Sequence, residues 1–307
     1  MTDLRKLYEG TVGATEIDDL GHMNVRYYAE RGLQATANLL ADNGLDADSI
    51  EAVDASIEIR DLYTRHYREQ LVGAPLAVMG GALEVDEYEV RAYHELSNTQ
   101  SGELAATFVH RIGLRSLDSR SKRSLPESTR KSLSDSVVGW PEHGRPRSID
   151  LDRLPPPLSL AQAHDRGLAL RFERRVLAEE CAPTGFVPAS RRQDLVWGGK
   201  PIPPHGGGPP MFDLEDGGRM SMAALETRSL LSESPRVGTR IQSFSATVEV
   251  GSKTTIRRAW VFDLDRERLL FSNTFVDIAL HLGQRRAIRI PPELRARFEA
   301  TAQLDLR

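Results

Sequence analysis

The sequence predicts an α+β chain built from two related antiparallel domains in tandem. Three observations predict it. The 307 residues are about twice the ordinary single-domain size. Each half reads as one strand, one helix and then a run of strands, the order of an antiparallel sheet accompanied by a helix. Short motifs of the first half also recur near 165 residues later, a spacing that fits a duplicated domain and not a solenoid repeat. Val72-Gly73 is matched by Val237-Gly238, and Val85 by Val250. Arg91-Ala92-Tyr93 is matched by Arg258-Ala259-Trp260, and Thr107-Phe108-Val109 by Thr274-Phe275-Val276.

In the first half, residues 8–17 read as a strand. A helix follows over 25–43, with Asn24 placed to cap its start and Gly44 to end it. That helix is rich in small residues (Ala29, Gly32, Ala35, Ala37, Ala41), which let a sheet come close. Helix propensity alone explains the alanines but not Gly32. Val53, Ala55, Ile57 and Ile59 alternate with Asp54, Ser56, Glu58 and Arg60 in the period of a strand. Strands over 76–85, 88–96 and 104–114 complete the sheet. In the second half, Gln242, Phe244, Ala246, Val248 and Val250 alternate with polar residues, as do Ile256, Arg258, Trp260, Phe262 and Leu264.

The stretch 115–157, rich in Ser, Pro and charge, reads as a solvated connector with at most one short helix. The expected domains are therefore 1–116 and 166–307, with 117–165 as linker. A second loop, from Gly198 to Gly218, has too many Gly and Pro residues for a helix interior or a central strand.

Composition narrows the function classes. Hydrophobic residues make up 40% and charged residues 27%, a globular balance. No run nears the roughly 18 apolar residues of a membrane helix, and MTDLRKLYEG has no apolar stretch of a secretory signal. The single cysteine, Cys181, excludes an internal disulfide. A cytoplasmic protein without a membrane partner is expected. With 40 Lys plus Arg against 44 Asp plus Glu, a general nucleic-acid binder is not. No P-loop, dinucleotide fingerprint or metal-ligand spacing is present, so neither a metal nor a resident cofactor is expected.

The chemistry is concentrated in Asp18-Asp19-Leu20-Gly21-His22-Met23-Asn24, with Tyr28 one turn further on. This stretch joins a strand to a helix, and a helix N-terminus offers unpaired amides to an oxyanion. Asp18 is the candidate base or nucleophile. His22 is placed to bond the carboxylate or the substrate carbonyl. Gly21 permits a tight turn, and Asn24 caps the helix and orients its neighbours. Singly, each has a plain structural reading: turn residues, a satisfied histidine, an N-cap, a core tyrosine.

Together they resemble the hotdog-fold acyl-CoA thioesterases, a family that includes 4-hydroxybenzoyl-CoA and acyl-carrier-protein thioesterases. There an Asp is followed by three residues and a His, then an Asn two later and a Tyr four beyond; here these are Asp18, His22, Asn24 and Tyr28. Gly44-Leu45, Val72-Gly73 and Ser101-Gly102-Glu103-Leu104-Ala105 also match, so the resemblance covers residues 7–114. It implies a tandem double hotdog, each half a long helix wrapped by an antiparallel sheet. It also implies a thioester of coenzyme A or of an acyl carrier protein as substrate, and a homo-oligomer. Asp18, His22 and Asn24 become the catalytic candidates; Gly21, Tyr28 and Trp197 are the substrate-binding ones.

Some family positions differ. A second Asn is replaced by Val25, a helix Glu by Leu33 and Gln34, and the plant carrier-protein enzymes' Asn before the His by Leu20. In the second half Ala182 stands for Asp18 and Phe186 for His22, so one functional site per chain is expected. Glu180 or Asp194 remains open as a further carboxylate, and Arg285 and Arg286 as contacts to a coenzyme phosphate. Two other functions stay open: a non-catalytic acyl-thioester-binding or regulatory protein, and an acyl-CoA dehydratase or hydratase.

Overall fold

The computed structural model describes residues 3–18, 20–117, 119, 121–196 and 211–307. Two compact units divide at Arg145–Pro146, inside the stretch expected as linker. The first contains β1 (Arg5–Thr11), α1 (Val25–Ala41), α2 (Ala47–Ala52), β2 (Ala55–His66), β3 (Pro75–Val85), β4 (Glu89–Asn98), β5 (Leu104–Ser116), β6 (Lys122–Arg123) and α3 (Glu127–Asp135). The second contains α4 (Leu160–Asp165), β7 (Ala169–Arg175), β8 (Met211–Asp213), β9 (Arg219–Leu231), β10 (Arg240–Val250), β11 (Thr254–Asp263), β12 (Arg268–His281), β13 (Arg286–Ala287) and α5 (Pro292–Ala300).

Antiparallel pairing orders the first unit β1-β3-β4-β5-β2. Helix α1 lies on one face of this sheet. Its buried residues Tyr28, Ala29, Gly32, Ala35, Thr36, Leu39 and Leu40 recur every three to four positions. Gly32 has a packing reason: a Cβ there would come within 2.9 Å of the buried Phe108 ring. The helix begins where the Asn24 side chain accepts the Arg26 amide at 3.1 Å. It ends at Gly44, whose φ of +81° a side chain would resist, and Leu45 tucks into the core beyond it.

The second unit has the same order, β7-β10-β11-β12-β9. The agreement extends to register. Val85 pairs with Val90 and, 165 residues on, Val250 pairs with Thr255. The bulge between Ala82 and Glu84 returns between Thr247 and Glu249. The one between Leu96 and Ser97 returns between Val261 and Phe262, and the one between Ile59 and Asp61 between Ala224 and Glu226. This register corrects two of the expected matches. Tyr93 pairs with Val109, and the pair in the same place is Arg258 with Thr274, not Trp260 with Val276. A slip of two residues preserves the in–out alternation of a strand, so hydrophobic pattern alone could not exclude it.

A second correction concerns the helix. Among the described residues no long helix occupies the place of α1 in the second unit. Short 3-10 turns at Ala189–Arg191 and Asp194–Val196 stand there instead. The sequence of this place carries Gly198, Gly199, Pro201, Pro203 and Pro204, residues that a helix interior disfavours.

The stretch expected as a solvated connector carries buried side chains and specific bonds. In the first unit Leu125, Leu133 and Val138 are buried, and Arg65 donates to the carbonyls of His143 and Arg145. In the second, Ile149 and Leu151 are buried, and Arg228 donates to the carbonyls of Asp150, Leu151 and Arg153.

Candidate active site

The Asp18–Asn24 motif of the first unit is a tight hydrogen-bonded turn between β1 and α1. The Asp18 amide donates to His22 O at 2.9 Å, and the Gly21 amide to Asp18 O at 2.9 Å. Gly21 takes φ +84° with nothing within 4 Å of where a Cβ would stand. Backbone conformation, not crowding, therefore calls for glycine there. Glu16 braces the turn from below: its carboxylate accepts the Gly13 amide and pairs with Arg31 of α1.

The turn is also tied to the loop between β2 and β3. Met23 donates its amide to Gln70 O at 2.7 Å, and the Tyr28 hydroxyl donates to Arg68 O at 3.0 Å. Gln70 is buried and accepts from Asn98 at 3.0 Å. Glu69 thus sits between two anchored carbonyls.

These restraints bring three side chains together. Asp18 Oδ1 accepts the Leu20 amide at 2.9 Å, and Oδ2 lies 3.6 Å from His22 Nδ1. On the other side of the ring, His22 Nε2 is 3.3 Å from Glu69 Oε1. The Asp18 and His22 side chains are 8% and 14% exposed, and Glu69 is 38% exposed, so the line runs from the interior to the surface. An imidazole between two carboxylates can carry a proton from one end to the other.

Of the residues singled out from sequence, the structure joins Asp18, Gly21, His22 and Asn24 in one turn. Tyr28 is adjacent but buried, with its hydroxyl engaged by Arg68 O and its ring edge-on to His66 at 5.2 Å. Burial pushes the Tyr28 phenol up; a backbone hydrogen bond from Gln70 opposes this and the Asp18 charge adds to it. The phenol is thereby kept as a donor. Burial lowers His66 to about 4, so it stays neutral. Trp197 lies outside the described residues. Sequence reasoning missed Glu69, which belongs to no local motif. Its position just ahead of the duplicated Val72-Gly73 pair was the available signal.

The second unit repeats the main backbone bonds of this turn without its reactive side chains. Ala182 N donates to Phe186 O at 2.9 Å and Gly185 N to Ala182 O at 2.8 Å. Val187 N donates to Pro235 O at 3.0 Å, as Met23 does to Gln70. Gly185 has φ +77° and Gly238 +80°, against +84° at Gly21 and +82° at Gly73. Glu180 accepts the Leu177 amide and pairs with Arg174 at 2.6 Å, the bracing role of Glu16. Asp18, His22, Asn24 and Glu69 have become Ala182, Phe186, Pro188 and Ser234. Arg236 stacks on the Phe186 ring at 4.7 Å.

The remaining candidates have structural surroundings. Asp194 pairs with Arg191 at 3.2 Å. The Cys181 thiol is pushed up by burial and by the Glu180 charge, and it donates to Leu177 O at 3.5 Å. Arg285 and Arg286 are exposed. No described helix is long and apolar enough to cross a membrane, and no described cluster of His, Cys, Asp and Glu has the geometry of a metal site.

Comparison with known proteins bears on the unit that carries this turn. The model of the thioesterase-like superfamily matches residues 12–133, the segment that holds the whole constellation. The first unit is similar to that superfamily over this segment. A relative from Agrobacterium fabrum, an L-carnitine dehydrogenase/betainyl-CoA thioesterase, is 33% identical over 107 residues. The match covers 35% of this chain and 22% of that protein, so the chain spans only about a fifth of this curated relative. Solved structures extend the likeness in fold. An acyl-ACP thioesterase from Bacteroides thetaiotaomicron superposes with a TM-score of 0.66 at 11% identity, covering 88% of this chain and 96% of that one. The 12:0-ACP thioesterase from Umbellularia californica gives 0.66 at 9% identity, covering 90% and 94%. The chain has a hotdog-type fold on this showing.

Proposed function

We propose that this chain hydrolyses acyl thioesters, with its single reactive centre at the Asp18–His22 turn of the first unit. The observation that carries the reading is the pairing of Asp18 with His22 at the start of α1, inside the segment that matches the thioesterase-like family. In this reading the chain is a tandem double hotdog whose second half has kept the scaffold and lost the chemistry. Substrate would be a thioester of coenzyme A or of an acyl carrier protein, without a resident cofactor. A cytoplasmic homo-oligomer fits the composition.

The reaction follows from the geometry. Asp18 takes a proton from a water as that water's oxygen attacks the thioester carbonyl. Asn24 engages the Arg26 and Tyr27 amides through its side chain and carbonyl. That leaves the Val25 amide as the first-turn donor to the developing oxyanion, reinforced by the positive end of the helix. Collapse of the tetrahedral intermediate breaks the C–S bond. The proton held by Asp18 passes through His22 to the departing sulfur, giving acid and thiol.

The test is release of free thiol from a panel of acyl-CoAs and acyl-carrier-protein thioesters. Turnover should fall by at least about a hundredfold in Asp18→Asn. Undiminished turnover in that variant removes Asp18 from the chemistry. Binding of thioesters without turnover in the wild type would identify a binding protein instead.

A further inference from the structure

A third side chain, Glu69, lies against the imidazole of His22, and the internal duplicate bears on its role. In the second unit the bonds that shape the turn survive, as do its braces: Gly185 for Gly21, Gly238 for Gly73, Glu180 for Glu16. Asp18, His22 and Glu69 are replaced by Ala182, Phe186 and Ser234, and the cap Asn24 and Tyr28 by Pro188 and Arg192. A carboxylate needed only for the shape of its loop had every reason to remain, because the loop's anchor from Val187 to Pro235 did remain. Glu69 follows the histidine, not the scaffold.

The first unit shows how Glu69 is aimed. Its two neighbours are held by the motif itself, Arg68 O by the Tyr28 hydroxyl and Gln70 O by the Met23 amide. The amides of Tyr67 and Arg68 both bond Ala105 O, which fixes the loop to β5. The carboxylate so placed reaches His22 Nε2 at 3.3 Å, on the ring edge opposite Asp18.

We infer that Glu69 is a positioning residue for His22: it holds the Nε2–H edge of the imidazole so that Nδ1 faces Asp18. This rests on the hydrolase reading for its catalytic meaning. A carboxylate behind an imidazole fixes its tautomer and orientation and stabilises the cation formed when the ring accepts a proton. Glu69 gains and loses no proton in the cycle. The proton that Asp18 takes from water enters the ring at Nδ1 and leaves from that same nitrogen to the thiolate sulfur, so the Nε2–H held by Glu69 is never given up.

The experiment uses Glu69→Gln and Glu69→Ala in the full chain. The imidazole 15N signals of His22 are assigned by their loss in His22→Gln. Glu69 is partly exposed and its loop is held through the backbone, so both variants should fold with nearly the wild-type Tm. The expected result is a displaced pair of His22 15N signals in both variants and a kcat lower by roughly tenfold or more, with KM within about twofold. A wild-type kcat in the alanine variant, or unmoved His22 nitrogens, overturns the inference. The two readings fail separately. Should the wild type turn over no thioester, the hydrolase reading falls, and the 15N signals alone still decide whether Glu69 holds His22.

Discussion

His94 and His110 are fully buried beneath α1, where Thr36 Oγ1 contacts both rings, at 2.8 and 2.7 Å. Burial lowers His94 to about 3; His110 is lowered well below its usual value by burial and by the His94 charge. Both are therefore neutral when folded, whereas in the unfolded chain each binds a proton below about 6.5. The unfolded state then holds more protons, so stability is complete above that pH and declines as pH falls toward the folded values. The slope approaches about 1.4 kcal/mol per pH unit for each ring. His66, lowered to about 4 by burial, acts in the same direction. Carboxylates with depressed values, such as Glu58 between Arg115 and Arg60, lose their contribution only below about 4.5. Urea midpoints measured between pH 7.5 and 5 isolate the histidines, and a flat profile there would contradict this account. At this scale the sequence was legible where the residues were contiguous. Asp18, Gly21, His22 and Asn24 share one turn, so their spacing carried the geometry. Glu69 and the Thr36–His94–His110 node are assembled across strands, and no local spacing announces a contact made by tertiary bonds.

At the scale of elements, α1 is set by how closely it approaches β5. Gly32 is the point of contact, with the Phe108 ring 2.9 Å from where a Cβ would stand. Two effects oppose each other in Gly32→Ala. Helix propensity favours alanine by about 1 kcal/mol. Against this, the fully buried Phe108 ring has little space to yield, and overpacking costs about 1–3 kcal/mol. The clash should win, so Gly32→Ala lowers the Tm, and adding Phe108→Leu should recover part of the loss. A higher Tm in the single variant would mean that the helix shifts freely on its sheet. The glycine was noticed in the sequence because propensity could not explain it, and the structure supplies the ring that does. The first-unit strands were legible for a similar reason: their alternation is long and their turns are marked by Gly73 and Gly102, both at positive φ. The helix expected in the second half was not realised among the described residues. The duplication argued for it, but the sequence at that place carries Gly198, Gly199, Pro201, Pro203 and Pro204, which a helix interior disfavours.

For the whole molecule, duplication and chemistry have come apart. Every strand pair and bulge that shapes the first sheet has its counterpart in the second, including the pairing of β2 with β5 in that of β9 with β12. Sheet register is costly to change, because slippage by one residue exposes an entire buried face. Side chains at the rim of a turn carry no such penalty. Replacing Asp18, His22 and Glu69 by Ala182, Phe186 and Ser234 keeps the backbone bonds from Ala182, Gly185 and Val187 and loses only the side-chain bond that Asp18 makes to the Leu20 amide. The second turn therefore offers no carboxylate at the base position and no imidazole. Its Phe186 face is covered by the Arg236 guanidinium. Among the described residues it also lacks the long helix whose end would supply amides to an oxyanion. A non-hydrolysable acyl thioether of the preferred substrate should accordingly bind at one equivalent per chain in titration calorimetry. His22→Gln, which alters only the first turn, should weaken that binding event. Two equivalents per chain, or binding indifferent to His22, would show that the second unit recognises thioesters by contacts other than the turn it has preserved.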